Sequence, residues 1–400
     1  MPRTQDAGDL PSLPSHLLLL NPCDSRRLQK TPPHGDSTAP TYAHRAPKRK
    51  SSELALDLGC YQSCVWNSIH VNMAMAPPPI VCGLGKFVIS GDTIVIRDRA
   101  QDGPPSTRTI LLAHIVCPKV AKRASVSRQP TLDEPFGWMA REFVRSTVIG
   151  KVVYYTVVKE IGGGRAYGWI YLGDGSNAEN LAYLLVCRGL AQVRRGISQA
   201  AMERNPAMRT LIKLETKAKA HQLGIWSHSV VGAPRHICWR IADPIAFFQV
   251  HGRKPLHGVV EFVRDGSTLQ IQLCPVDGDA VPTYYNITLL VSGIKTATSR
   301  VVGGCRTYEP FCREARFFVE SRLLQRDVTV ILEGVSGNCF VGSVLHSRGN
   351  IALLLLREGL AWCLRWKLAV VSVEASSAKA YRNAERKAKR KHLRVWQDCA

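Results

Sequence analysis

Lysine and arginine side chains cluster at two places in this 400-residue sequence. A polar segment between a predicted strand and a predicted helix, together with a short stretch after a later helix, contains Lys119, Lys122, Arg123, Arg128, Arg194 and Arg195. Cationic side chains of this kind hold phosphate oxygens, and the planar guanidinium of arginine can contact two oxygens at once. The two groups therefore predict a surface for a nucleic-acid backbone. The alternative interpretation is that each residue is only a solvated charge on an exposed face.

The charge of the whole chain favours the same class of partner. Lys and Arg number 53 against 31 Asp and Glu, which gives a formal net charge of +22. An excess of this size favours a polyanionic partner, either nucleic acid or an acidic membrane surface. No apolar run approaches the ~18 residues that a bilayer-spanning helix needs, and we predict no membrane partner.

The cysteines do not suggest a metal site. The 13 cysteines include no Cys-x-x-Cys pair, and the closest pairs are Cys60 with Cys64 and Cys305 with Cys312. Neither pair has further His or Cys residues at zinc-binding spacing, so no metal and no other cofactor is predicted. Most of these cysteines are expected to be small buried side chains in a reduced protein of the cytosol or nucleus.

Residues 1–75 differ in composition from the rest of the chain. They mix Pro, Ser, His and Thr with little periodicity, which predicts a disordered leader. Within the leader, Lys48, Arg49 and Lys50 follow a proline and form a candidate nuclear-localisation signal. The alternative is a solvated basic patch in a tail. We therefore predict a cytoplasmic protein, with the nucleus as a second location.

The remaining sequence contains an internal duplication. Glu134-Pro135-Phe136 recurs 175 residues later as Glu309-Pro310-Phe311, and Lys217-Ala218-Lys219 recurs 170 residues later as Lys387-Ala388-Lys389. The matches keep the same order at nearly the same offset. This pattern predicts a domain of about 150 residues that is present twice. It does not indicate a solenoid, because solenoid repeats have much shorter periods of ~20–50 residues.

Each copy begins with strand-like runs that end at turn residues, and an amphipathic helix, a hairpin and two further helices follow. Asp133-Glu134-Pro135 is predicted to start the amphipathic helix, which extends to Val148. Five short strands suit a small closed barrel of the OB type, so the predicted fold class is α+β. The other predicted elements of the first copy are the strands Lys86–Ile89, Thr93–Arg97, Thr107–Ile115, Lys151–Val158 and Arg165–Leu172 and the helices Asn180–Arg188 and Ala207–Gln222; the strands of the second copy include Gly258–Val263, Thr268–Leu273 and Tyr284–Val291.

Several motifs resemble a known family. Tyr167-Gly168 and the closing Gly224-Ile225-Trp226 resemble the staphylococcal nuclease domain. Gly103-Pro104-Pro105 resembles the first repeat of the Tudor staphylococcal nuclease (Tudor-SN) family, and Ser292-Gly293-Ile294-Lys295 resembles the second. The resemblance implies two tandem nuclease-like OB barrels, each of five strands with three helices. The predicted domains are a leader at 1–75, the first repeat at 76–228, a linker at 229–253 and the second repeat at 254–400.

The resemblance also allows the nuclease residues to be compared one by one. A nuclease of this type holds calcium with aspartates, uses a glutamate as general base and places two arginines on the phosphate. In the first copy only Asp92 and Tyr167 remain as remnants, and no catalytic residue is assigned. The family implies calcium, but its ligands are missing. The other positions are occupied by Val116, Lys119, Leu111 and Trp169 in the first copy and by Ser267, Lys295, Thr298 and Leu290 in the second.

The family is associated with RNA silencing, with binding and cleavage of structured RNA, and with transcriptional coactivation. The resemblance therefore implies an RNA-binding protein whose protein partners belong to silencing or transcription complexes. Two alternatives stay open: an endoribonuclease with a metal-dependent site of a different construction, and a protein-interaction scaffold. Whether the chain is an enzyme is left open by the loss of most catalytic residues.

Overall fold

The first barrel consists of five strands that close through a parallel pairing. The strand order is β3-β2-β1-β5-β6, and β3 also pairs with β6, which joins the two ends of the sheet. Alternate residues point inward, as Ile94, Ile96 and Ile110 do, and fill the core. The strands of this copy are β1 (Val81–Ser90), β2 (Thr93–Arg97), β3 (Thr107–Leu112), β4 (Ile115–Val116), β5 (Val152–Gly162), β6 (Arg165–Leu172), β7 (Glu179–Asn180) and β8 (Gln192–Val193).

The computed structural model describes residues 79–98, 105–125, 127, 129–173, 178–195, 205–228, 232–276, 281–303, 305–364 and 375–397. The predicted leader, with Lys48, Arg49 and Lys50, lies outside the described residues, and so does Arg128. Residues 73–400 form one compact unit that contains both barrels. Among the described helices, none has the length and apolar character that crossing a membrane requires.

Three helices pack on the first barrel: α1 (Gly137–Val148), α2 (Leu181–Cys187) and α3 (Pro206–Ala220). A 3₁₀ turn at Gly224–Trp226 follows them. The prediction that Asp133 and Glu134 start α1 is wrong. Phe136 precedes the helix in a left-handed conformation (φ 64°), and no side chain caps the helix start. The two carboxylates instead accept hydrogen bonds from the loop that precedes them.

The second barrel repeats the first and confirms the predicted fold of two closed five-stranded barrels. Its sheet runs β16-β10-β11-β12, and β17 closes it by pairing with both β16 and β12. Its elements are β10 (Pro255–Asp265), β11 (Thr268–Leu273), β12 (Thr283–Val291), β13 (Ile294–Thr296), β14 (Ser299–Val302), β15 (Cys305–Tyr308), β16 (Asp327–Ser336), β17 (Cys339–His346), β18 (Gly349–Asn350) and β19 (Ala361–Cys363), with helices at Cys312–Leu323, Ile351–Arg357 and Ala375–Arg390 and a 3₁₀ turn at Arg394–Trp396.

The segment predicted as a linker, residues 229–253, is partly built into the second barrel. It contains strand β9 (His236–Cys238), which pairs in parallel with β12, and helix α4 (Pro244–His251). Phe247 of this helix is buried in the second core against Phe340, with ring centroids 5.6 Å apart. The three helices of the second copy that follow are numbered α5, α6 and α7. The described part of the linker therefore packs on the fold as well as joining the two repeats.

Buried polar groups join the two barrels. The side-chain amide of Gln325 is fully buried and makes two hydrogen bonds with the backbone of Val88, one through its oxygen (2.6 Å) and one through its nitrogen (2.9 Å). Arg145 of α1 donates to the Gln325 carbonyl (2.7 Å) and to Asp327 (2.8 Å). Because each buried group finds a partner on the other barrel, these contacts favour one relative placement of the barrels.

Candidate nucleic-acid interface

The backbone of the basic loop, which we define as residues 117–125, is held by two acidic residues that follow it. The N–H of Lys119 donates to Glu134 Oε2 (2.8 Å), and the N–H of Ala121 donates to Asp133 Oδ1 (2.7 Å). Lys122 also forms a bridge with Thr131. Charge-assisted hydrogen bonds of this kind are stronger than neutral ones, so they give a polar loop a defined shape.

The predicted side chains of the basic loop project into solvent. Lys119 has 82% of its side chain exposed and lies 3.4 Å from Glu134, and Lys122 and Arg123 are also exposed. An exposed pair such as Lys119 with Glu134 contributes little to stability and leaves the ammonium accessible. The loop therefore presents three cations together. The fourth predicted residue of this group, Arg128, is outside the described part of the chain.

These three cations line a cleft of about 1270 Å³ between the barrels. The first barrel also contributes Trp138 of α1, and the second contributes the outer face of β11 and β12. Arg235, from the segment between the barrels, lies with its guanidinium carbon 3.4 Å from the Trp138 ring centroid. The cleft thus combines positive charge with aromatic and amide side chains.

Arg194 and Arg195 are placed by a short strand pairing next to the start of the basic loop. They follow β8, which pairs antiparallel with β4, and the Arg194 N–H donates to the carbonyl of His114 (2.8 Å). Unlike the three cations of the basic loop, Arg194 and Arg195 do not line the cleft. The Arg194 guanidinium carbon is 5.6 Å from the ring centroid of Tyr167.

The outer face around Tyr167 carries an aliphatic and an aromatic side chain, Leu111 and Trp169, where the nuclease comparison expects arginines. Leu111 pairs with Tyr167 across β3 and β6, and the ring of Trp169 lies 5.6 Å from His114 and 5.9 Å from Tyr183. Burial lowers the pKa of His114, and the nearby Arg194 charge lowers it further. Aromatic rings in tilted and edge-to-face contact, beside a histidine whose pKa is lowered, favour aromatic contacts with a ligand over binding of a phosphate.

Asp92, which the family resemblance predicts to be a remnant of the metal site, has both carboxylate oxygens engaged by neighbouring groups. Oδ1 accepts from the hydroxyls of Ser90 (2.6 Å) and Thr93 (3.2 Å), and Oδ2 accepts from the backbone N–H of Cys117 (3.2 Å). Burial raises the pKa of the Cys117 thiol well above its usual value, and Asp92 raises it further. Calcium requires six to eight oxygens, and this donor set does not fit it. Within the described residues no three His, Cys, Asp or Glu side chains are grouped to hold a metal.

The second copy repeats the hydrogen bond between the loop and a glutamate that follows it, and its loop carries the exposed side chains of Arg300 and Arg306. The N–H of Thr298 donates to Glu309 Oε2 (2.7 Å), which matches the bond between Lys119 and Glu134 in the first copy. This hydrogen bond is the main cause that lowers the pKa of Glu309. At the aspartate position, the Ser267 hydroxyl bonds to Asp265 (3.0 Å) and lies 3.2 Å from that of Thr296. A glutamate after the loop therefore fixes the loop in both repeats.

Arg235 and Trp138 were not expected at the site. Arg235 donates to both oxygens of Asp133, at 2.8 and 3.2 Å, although the two residues are 102 positions apart. The side chains of this pair are almost fully buried, with 7% and 1% exposed. The one sequence feature that could have pointed to a partner such as Arg235 was the acidic Asp133-Glu134 pair before a proline. This pair equally suits the start of a helix.

Comparisons with known proteins agree with the two-barrel geometry. The model of the staphylococcal nuclease homologue family matches residues 109–228 and 288–398. "Staphylococcal nuclease domain-containing protein 1" of Drosophila melanogaster is 38% identical over 330 residues, 81% of this chain and 34% of the relative. "Ribonuclease TUDOR 2" of Arabidopsis thaliana is 31% identical over 78% of this chain and 36% of the relative. The chain thus spans about a third of the length of these relatives. It belongs to the family of staphylococcal nuclease homologues, as a Tudor-SN-like protein with two nuclease-type barrels.

Proposed function

We propose that this protein binds RNA and that the basic loop of the first barrel holds the RNA backbone. The observation that carries the proposal is the group of three exposed cations, Lys119, Lys122 and Arg123, that lines the cleft from one loop. The family resemblance places Lys119 at the general-base position. Three cations on one loop neutralise phosphates and do not activate water. Because Asp133 and Glu134 already fix the loop backbone, binding orders little additional chain.

A second part of the proposal is that the metal-dependent chemistry of the ancestral nuclease is absent. Asp92 is the remnant carboxylate of the metal site in the first barrel, and its oxygens accept hydrogen bonds from the turn and from Cys117. Leu111 and Trp169 occupy the two arginine positions. The protein would therefore hold a phosphodiester without the general base and the cations that stabilise charge during hydrolysis.

RNA cleavage at a site formed by residues other than those of the ancestral nuclease is the second candidate function. It is favoured by the names of two relatives from Arabidopsis thaliana, "Ribonuclease TUDOR 1" and "Ribonuclease TUDOR 2". Protein partners in silencing or transcription complexes, and action in the cytoplasm or nucleus, remain predictions from the family resemblance.

The test is RNA binding and cleavage by the full chain in calcium, in magnesium and in a chelator. We expect binding to a short oligouridine and to an RNA duplex under all three conditions, with no calcium-stimulated cleavage. Cleavage that calcium stimulates and that Asp92→Asn abolishes would overturn the loss of the ancestral site. Absence of binding even at low salt would overturn the proposal as a whole.

A further inference from the structure

The second barrel turns a polar sheet face toward the basic loop of the first. In β11 and β12, Leu269, Ile271 and Leu289 point into the core, and the residues between them point outward. Gln270 is paired with Thr288 on this outer face, and both line the cleft. Amide and hydroxyl groups at successive outward positions offer donors and acceptors to a ligand.

One end of this face is closed by Arg235 and the side chains that hold it, which we call the floor of the cleft. Arg235 donates to Gln272 Oε1 (2.8 Å), and its guanidinium carbon lies 3.4 Å from the ring centroid of Trp138 and 5.0 Å from that of Tyr284. Asp133, through its two bonds to Arg235, fixes the guanidinium in this position. The floor is therefore preorganised, with an aromatic ring and a cation held by buried hydrogen bonds.

The other end of the face is open. Gln270 is exposed and Thr288 is half-buried. Between this end and the floor, Asn286 accepts a long hydrogen bond from Gln272 (3.4 Å), and its own Nδ2 has no hydrogen-bond partner. A buried amide donor without an acceptor is unfavourable.

The position of this face matches the ligand side of the fold class. In OB barrels the face of the second and third strands, with the loop between the fourth and fifth, binds oligonucleotides. Here β11 and β12 are the second and third strands, and Asn338, in the turn between the fourth and fifth, also lines the cleft. The basic loop, also lining this cleft, adds cations to that side.

We infer that the cleft binds an unpaired segment of RNA, with its bases against Gln270, Asn286 and Thr288 and its phosphates at the basic loop. The inference rests on the proposed function and specifies its ligand. In an A-form duplex the base edges lie in a deep, narrow major groove that side chains cannot read, whereas splayed bases present their hydrogen-bonding edges. The three cations of the basic loop favour a ligand with a charged backbone over an uncharged polypeptide.

The first test is the double variant Gln270→Ala with Thr288→Val on this polar sheet face, which we call the wall variant. Losing hydrogen bonds to bases should weaken binding of a short oligouridine about tenfold. Duplex affinity and the salt dependence should stay unchanged, because the phosphate contacts remain. The matched control is Val95→Ala with Thr109→Val, which pair in the same way on the first barrel and do not line the cleft.

The second test maps contacts directly with a thiouridine-substituted oligouridine crosslinked to the full chain. We expect crosslinks in β11, β12 and the Trp138 region. Crosslinks confined to the Tyr167 face, with unchanged affinity in the wall variant, would overturn the inference while RNA binding itself stands. If the unaltered chain bound no RNA at all, the proposed function would fail first.

Discussion

Arg141 of α1 meets Glu261 of β10 through two hydrogen bonds, at 3.0 and 2.6 Å, and so ties the first barrel to the second. The guanidinium is nearly buried, with 6% of the side chain exposed, and its Nε donates to the carbonyl of Val88. A related contact joins Lys86 of β1 to Glu320 of α5 (3.4 Å). In each case a helix of one copy reaches the first strand of the other, which gives the interface an approximate two-fold character.

Removing Glu261 should destabilise the protein strongly. In Glu261→Ala the Arg141 guanidinium stays buried without its carboxylate, and a break of this kind costs about 3 kcal/mol. Urea unfolding of the full chain measures this loss, and separation into two transitions would indicate that the barrels have become uncoupled. The control is Glu160→Ala, which removes the exposed partner of Arg108 and should change stability by less than about 0.5 kcal/mol. Equal losses in the two variants would argue against a structural role for the Arg141 pair.

The strands could be predicted where turn residues flank an alternating run. Thr93–Arg97, Arg165–Leu172 and Thr268–Leu273 have the predicted bounds, because turn residues separate each run from the strand before it. By contrast, β1 begins at Val81 and not at the predicted Lys86. Its first residues pair with β5, far along the chain, and a local pattern carries no information about such a partner.

Only part of the candidate site could be predicted from the sequence. Lys119, Lys122 and Arg123 lie in one loop, as neighbours in the sequence must, and this could be seen without a structure. The roles of Arg235 and Gln325 could not, since each depends on a residue more than a hundred positions away. The placement of Arg194 beside His114 also depends on the antiparallel pairing of β4 with β8, which joins distant segments.

Neutralising the basic loop should weaken RNA binding without much preference for sequence. The variant Lys119→Gln, Lys122→Gln, Arg123→Gln removes three cations and adds no negative charge next to Glu134. On single strands, log affinity falls with log salt by about 0.7 per phosphate neutralised, so the slope should flatten by up to about 2. Binding titrations over a range of salt concentrations, on several RNA sequences, measure both effects.

The control for this variant is a matched neutralisation on the last helix. Arg386, Lys387 and Arg390 are exposed on α7 and can be changed to glutamine together. Lys389 is left intact because it packs 4.2 Å from the Trp396 ring centroid and pairs with Glu385. The helix variant should lose less affinity than the loop variant. The reverse order would place the RNA surface on α7, and no effect of either variant would favour the scaffold interpretation.

We expect Asp92 to stabilise the fold and to have no role in metal binding. In Asp92→Asn an amide group replaces one carboxylate oxygen, so the Ser90 and Thr93 hydroxyls and the Cys117 N–H lose a charged acceptor. Hydrogen bonds to charged groups contribute about 1.5–3 kcal/mol, and we expect a stability loss of about 2 kcal/mol by urea unfolding. RNA affinity and heats of calcium titration should be unchanged. A calcium binding signal that disappears in the variant would return Asp92 to a metal-binding role.

The pH dependence of stability should carry a contribution from His114. Burial and Arg194 lower the pKa of His114 in the folded protein, so between that value and the unfolded value of about 6.5 the unfolded chain binds more protons. The His114 contribution is therefore fully present above the unfolded pKa and is lost as pH falls toward the folded pKa. His114→Asn should flatten this part of the stability curve; asparagine is chosen because it tolerates the left-handed backbone at this position (φ 62°). In Arg194→Gln, the imidazole pKa followed by NMR should rise, because a repelling charge is removed. An unchanged titration there would show that Arg194 does not act on His114.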